Sequence, residues 1–353
     1  MKDVLVEALG TAAEEGHEEV VQFLLEKGVD IDSHNEDRET PLLRATMQRR
    51  SSMVMLLLRS GADPAIPNKK KMTALEWGIT HSRTDLVKAF LSSRKFDWND
   101  PEWARGLLFR SIEEAEPEVV KVLIDSQRFD LDIQSPFGQT AVSHAAHLGK
   151  ADIVRLFLET FENRIAQGDW DPMDYEVGFY INKQDISGRT ALAHAARKGH
   201  SSVVGILLDL PDIDVNIKDV KDRSPILHAA RKGHYEVILL LRSRDEIDLQ
   251  SQDSHKMTPL SWAAWRGHVE VVAALLLSPK VDPTTQDVDG WEPLTYAAAA
   301  GHLPAVKLLL DDERVRKVAQ TPGVRAMQLA LYEAKNRRYD EVYALLTSVI
   351  PTV

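Results

Sequence analysis

A segment of the form Thr/Ser-Pro/Ala-x-x-x-Ala-Ala-x-x-Gly-His, followed by a Val/Leu-rich run, returns along this chain at a nearly constant interval. That periodicity constrains the fold more tightly than any other feature. The fullest copies are Thr140–Lys150, Thr190–His200, Ser224–His234, Thr258–His268 and Glu292–His302. From Thr190 onward the register positions 190, 224, 258 and 292 are spaced by 34 residues. The same register carried outward places fainter copies at Glu7, Thr40, Thr73, Gly106 and Ala326, which makes ten units and leaves almost none of the 353 residues unassigned. A period in this range marks a solenoid of stacked units.

The residues of one unit say what it builds. In Asp219–Arg242 a turn leads to Ser224, whose hydroxyl is suited to cap a helix, with Pro225 at the first helical position, where its missing N–H is harmless. Ala229 and Ala230 keep this first helix slim, and Gly233 stands where the chain must leave it through a left-handed conformation that costs glycine little. A second helix follows, with Val237, Ile238, Leu240 and Leu241 on one face. Two helices of about ten residues cannot bury their apolar faces alone, so each unit depends on its neighbours. The expected fold class is therefore an all-α solenoid of helix-turn-helix repeats.

These residues resemble the ankyrin repeat, whose signature is Thr-Pro-Leu-His-x-Ala. Thr40–Leu42 and Thr258–Leu260 match its first three positions, as do Ser224-Pro225-Ile226 and Thr190-Ala191-Leu192 more loosely. The Gly-His step recurs at Gly16-His17, Gly199-His200, Gly233-His234, Gly267-His268 and Gly301-His302. The chain departs from the signature at the fourth position, held by Ser143, Ala193, Leu227, Ser261 and Thr295. Histidine or an aromatic follows one place later, at His144, His194, His228, Trp262 and Tyr296. The resemblance implies β-turn fingers between units, and partner binding in a concave groove formed by the fingers and the outward end of helix one.

Chemistry of other kinds finds little footing. With no cysteine, disulfides, thiolate nucleophiles and Cys-type zinc sites are excluded. No G-x-S-x-G, Walker-type loop, G-x-G-x-x-G or H-E-x-x-H occurs. Most of the twelve histidines recur once per unit. Equivalent ones lie on helices about 8–10 Å apart and run parallel instead of converging on a metal, so neither metal nor cofactor is expected. A formal net charge of −11 argues against bulk electrostatic binding to nucleic acid or to an anionic membrane. Met1–Glu7 lacks the pattern of a signal peptide, and no apolar run reaches the ~20 residues of a membrane helix. An intracellular chain, in cytoplasm or nucleus, is the expectation.

Function then falls to the surface. At the finger and helix-one positions that the resemblance assigns to the groove stand Arg189, Arg197 and Lys198, then Lys221, Arg223, Arg231 and Lys232, then Lys256, Trp265 and Arg266, then Trp291. Phe137, Gln139, His147, Ile186, His255, Met257 and Val288 share that register. Arg197-Lys198 and Arg231-Lys232 end helices, where a cation gains about 0.3–1 kcal/mol from the helix dipole. That explanation does not reach Arg189, Lys221, Arg223, Lys256 or the two tryptophans. Arg and Trp are enriched in binding hot spots. The expected function is a monomeric, non-enzymatic scaffold or adaptor whose protein partner offers an acidic, partly apolar segment. A transcriptional co-regulator on the same surface is the alternative, and an enzyme with a groove site a remote one.

The expected organisation is one solenoid over 1–353. Residues 1–32 form an N-terminal capping unit, 33–160 units two to five, 183–319 units six to nine, and 320–353 a C-terminal capping unit. The single break in the period, an insertion at 161–182, is acidic and aromatic (Asp169, Trp170, Asp171, Asp174, Tyr175, Glu176, Phe179 and Tyr180). Units two to four are degenerate, with Arg49, Ser82 and Ala115 where the helix-ending glycine belongs.

Overall fold

The computed structural model describes residues 2–93, 101–131, 133–167, 180–321 and 325–349. Among them are 21 α-helices and no β-strand, the all-α class that the periodicity predicts. They group into two compact units, Met1–Ser135 and Pro136–Val353. No helix among the described residues is long and apolar enough to cross a membrane.

In Pro136–Val353 the first helices of successive repeats, Ala141–Leu148, Ala191–Lys198, Pro225–Lys232, Pro259–Arg266 and Pro293–Ala299, pack on one another as one layer. The second helices, Ala151–Gln167, Ser201–Leu208, Tyr235–Arg242, Val269–Leu276 and Leu303–Asp311, form the other. Ala195, Ala229, Ala263 and Ala297 are fully buried, and their small side chains allow the first helices close approach, while Val204, Leu207, Ile238, Leu241, Val272 and Leu275 fill the space between layers. Met1–Ser135 repeats the plan. Lys2–Glu15, Pro41–Met47, Ala74–Thr80 and Pro101–Glu114 succeed one another in one layer, with Ser51–Arg59, Thr84–Leu91 and Pro117–Asp125 in the second.

Threonine starts most first helices as the sequence suggests. The hydroxyls of Thr40, Thr73, Thr140, Thr190 and Thr258 accept from the backbone N–H three residues on, at 3.1–3.2 Å. The cap expected of Ser224 is not made, and its buried hydroxyl has no partner. The helix begins there because Pro225 presets φ and the packing buries Pro225, Ile226 and Leu227.

The Gly-His step proves to be a lock between repeats. Gly149, Gly199, Gly233 and Gly267 end their helices at φ of 70–82°. The imidazole of the following repeat lies directly against each: a Cβ on Gly199 or Gly233 would stand 2.6 Å from Nδ1 of His234 or His268. The other ring nitrogen of that histidine reaches back to a carbonyl of the preceding helix, as in His234 to Arg197 O at 3.1 Å and His302 to Trp265 O at 3.1 Å. Glycine is thus required twice, by backbone sign and by the neighbouring ring.

At the C-terminal end Arg325–Asn336 packs on Pro293–Ala299, and Tyr339 takes the histidine's place against Gly301. A further helix, Glu313–Ala319, which the repeat pattern does not announce, precedes it and is capped by Asp312. The insertion begins as a prolongation of helix two, which runs Ala151–Gln167. Its residues Asp169, Trp170, Asp171, Asp174, Tyr175, Glu176 and Phe179 lie outside the described residues. Tyr180 is buried, its ring 4.9 Å from Phe161.

Candidate partner-binding groove

The groove residues of units six to nine are organised by four finger aspartates, Asp185, Asp219, Asp253 and Asp287. One carboxylate oxygen of each accepts two backbone N–H groups of its own finger: Ser187 and Arg189 at 2.8 and 2.9 Å, Lys221 and Arg223 at 2.8 and 3.1 Å, His255 and Met257 at 2.9 and 3.0 Å, Asp289 and Trp291 at 2.9 and 2.8 Å. This is an Asx-type turn that shapes the finger. The second oxygen holds the fourth residue of helix one. His194 lies 2.8 Å from Asp185 and His228 3.0 Å from Asp219 through Nε2; Trp262 donates to Asp253 at 2.9 Å and Tyr296 to Asp287. The displaced histidine or aromatic of the sequence pattern is therefore the tie between helix and finger.

Unit seven carries the most heavily loaded of these carboxylates. Burial alone would push Asp219 up, but bonds from His228, Arg223 and the backbone N–H groups of Lys221 and Arg223 outweigh it and hold the carboxyl well below its usual range. Arg223 bonds it through two nitrogens, the nearer at 2.8 Å, and Arg189 Nε stands 3.8 Å away.

Around this pair the arginines crowd. Arg197 is pushed below its usual value by burial and then by Arg189 and Arg223; Arg231 by burial and then by Arg223, Arg266 and Arg197. Arg189 Nε and Arg231 Nε are buried atoms that find no acceptor. The guanidinium of Arg231 lies over Trp262 at 4.9 Å from the ring centre, and that of Arg266 over Trp265 at 4.9 Å.

Beside the arginines opens a cleft of about 430 Å³, lined by Lys221, Arg223, Arg231, His255, Met257, Trp262, Trp265, Trp291 and Tyr296, with Asp253, Ser254, Asp287 and Asp289. Its aromatic rings touch in a chain: Trp262 to Trp265 at 5.1 Å between centroids, Trp265 to Tyr296 at 5.8 Å, and Tyr296 to Trp291 at 5.1 Å.

The family model for ankyrin repeats, in three copies, matches residues 9–101, 108–219 and 210–287, and the model for a single ankyrin repeat matches 289–317. The chain belongs to the ankyrin-repeat family. Relatives include Protein lin-12 of Caenorhabditis elegans, 28% identical over 141 residues, which is 36% of this chain and 10% of that protein. Another is the ankyrin repeat protein FPV244 of Fowlpox virus (strain NVSL), 29% identical over 108 residues, 30% of this chain and 15% of that protein. The likeness thus spans a small part of either relative. Ankyrin repeats are general protein–protein interaction modules, and the family is typically non-enzymatic.

Of the groove residues expected from the sequence, Arg189, Arg197, Arg223, Arg231 and Arg266 come together electrostatically, and Lys221, Arg223, Arg231, Trp265 and Trp291 line one cleft. Lys198, Lys232 and Lys256 are exposed and line no part of that cleft. Lys256 occupies the left-handed finger position, φ 59°, that Gly188 and Gly290 hold in other ankyrin units. Two expectations change. Met257 is 4% exposed, its backbone N–H bound to Asp253, and it lines the cleft. Arg223, expected at the groove surface, is neutralised by the buried Asp219. The finger aspartates and the aromatic walls Trp262 and Tyr296 were missed. Their signal is an aspartate repeated at 185, 219, 253 and 287, always nine residues before the displaced position.

Proposed function

We propose that this ankyrin-repeat chain is a non-enzymatic scaffold or adaptor of the cytoplasm or nucleus, whose basic and aromatic face in units six to nine receives an acidic, partly apolar segment of a partner protein. The observation that carries this reading is the mutual crowding of Arg189, Arg197, Arg223, Arg231 and Arg266, of which only Arg223 and Arg189 approach the buried Asp219, at 2.8 and 3.8 Å. A fold held by its own ion pairs gains nothing from guanidinium groups that repel one another, whereas an incoming carboxylate relieves that repulsion. Dipole placement accounts singly for Arg197, Arg231 and Arg266 at helix ends, and pairing with Asp219 for Arg223 and Arg189, but neither requires the five to gather on one face.

The test is affinity capture with the intact chain, followed by the triple variant Arg197→Glu, Arg231→Glu, Arg266→Glu, which spares the Asp219–Arg223 pair. Partner binding should be lost with helical content unchanged. Wild-type binding should also weaken as salt rises, because exposed charges are screened over about 8–10 Å. Capture that is insensitive to salt, or that survives the triple variant, would contradict the reading.

A further inference from the structure

The cleft of units eight and nine has a chemistry that the arginine cluster does not explain. Its floor and walls are Met257, Trp262, Trp265, Trp291 and Tyr296, and its volume of about 430 Å³ falls within the roughly 300–1,000 Å³ usual for ligand pockets. Trp265 remains 39% exposed despite its ring contacts with Trp262 and Tyr296. An indole held open beside two other aromatics is surface left to be covered by something apolar.

The charges around the cleft decide what kind of apolar group fits. Trp262 and Trp265 already carry guanidinium groups over their faces, each 4.9 Å from the ring centre, from Arg231 and Arg266. A further cation brought to these rings would meet like charge, so an ammonium-binding cage is disfavoured. Of the three carboxylates that line the cleft only Asp289 is exposed, and the other two are buried and tied to their own fingers. Asp253 is bound by Trp262 and two backbone N–H groups, and Asp287 by Tyr296 and two more. A neutral aromatic ring, by contrast, stacks on indole and guanidinium alike, and carboxylates adjoining it in sequence would extend toward Arg197 and Arg231.

We propose that the cleft is an anchor pocket for one aromatic side chain, tryptophan or phenylalanine, of an acidic peptide segment, with the neighbouring carboxylates of that segment on the arginines of units six and seven. This rests on the partner-binding reading above and adds what sets its specificity: the arginines supply attraction without choice of sequence, and the aromatic pocket fixes the register.

The experiment uses the full chain and three fluorescein-labelled acidic hexapeptides that differ at one central residue, phenylalanine, alanine or trimethyl-lysine, followed by anisotropy. The phenylalanine peptide should bind about tenfold more tightly than the alanine peptide, the scale of one buried aromatic side chain, and quench the intrinsic tryptophan emission. Trp265→Ala and, separately, Trp291→Ala should each bring it close to the alanine peptide without weakening the latter. The triple arginine variant should lose both. Equal binding of the phenylalanine and alanine peptides overturns the anchor while leaving the basic groove standing. Preference for trimethyl-lysine overturns it in favour of a cation pocket. Absence of binding by any of the three removes both readings.

Discussion

Units two and three and units six to nine follow the same turn-helix-turn-helix plan, yet they are fastened differently. In units six to eight glycine ends helix one, and the next repeat's histidine closes on it; unit nine does the same with Gly301 and Tyr339. In units two and three Arg49 and Ser82 occupy the corresponding turn at φ of 59° and 52°, a left-handed conformation that costs side-chain-bearing residues roughly 1–2 kcal/mol. Their fingers turn on Asn35 and Asn68, each accepting two backbone N–H groups. The fourth helical residue serves other ends there: Arg44 bonds Glu14 and Glu7, and Trp77 stacks on His81. The difference teaches that the repeat topology survives without the locks. Where they are present, they join the repeats on which the arginines and the aromatic cleft are displayed.

Breaking a lock should have the largest effect. Gly233→Ala forces a left-handed alanine and pushes its Cβ within 2.6 Å of His268. Strain of roughly 1–2 kcal/mol and overpacking of about 1–3 kcal/mol should together lower stability by about 2–5 kcal/mol in urea titration. The mirror experiment, Arg49→Gly, should stabilise by about 1 kcal/mol through relief of the same strain. Equal effects of opposite expectation at the two sites would erase the contrast.

The finger tie comes next. Asp219→Asn keeps a carbonyl for the backbone N–H groups but presents an amide to Arg223 and His228, leaving buried donors unmet. A loss of about 1–3 kcal/mol is expected, with weaker partner binding as Arg223 reorients. The reverse change in unit three, Asn68→Asp, should move the melting temperature little.

The smallest effect is a dependence on pH. His147 faces His194 at 3.1 Å between Nδ1 atoms, with Lys198, His144 and Arg197 close enough to act on it. Burial first, then these neighbours, lowers it from 6.5 to about 4. A histidine depressed in the folded state takes up protons more readily when unfolded. Its contribution is therefore intact above about pH 6.5 and declines as pH falls toward 4. Melting temperature should drop between pH 7 and pH 5, and His147→Gln should flatten that drop by the share due to this residue. An unchanged slope in the variant would assign the effect to His194, His228, His234 and His268, which burial also lowers.

Much of this was legible in the residues because repetition amplifies small signals. One Gly-His pair means little, but the same step 34 residues apart, at Gly199, Gly233 and Gly267, fixes both the unit and its helix ends. The basic cluster was legible for the same reason. What escaped was pairing across space. Arg223 and Arg231 look alike in sequence, and only the position of Asp219 shows that the first is neutralised and the second is not. Trp262 and Tyr296 stand where histidine stands in earlier units, a place that does not announce that they line the cleft. Ser224 misled in the other direction, since a cap residue was present and its bond was not made.

The contrast between the two regions is tested most directly by native-state hydrogen exchange followed residue by residue. The amides of units two to four should open first, and those of Thr190–Leu277, where glycine and histidine fasten each repeat to the next and aspartate ties each finger to its own helix, should exchange last. Uniform protection from Val54 through Leu309, or earlier opening of Thr190–Leu277, would contradict the account.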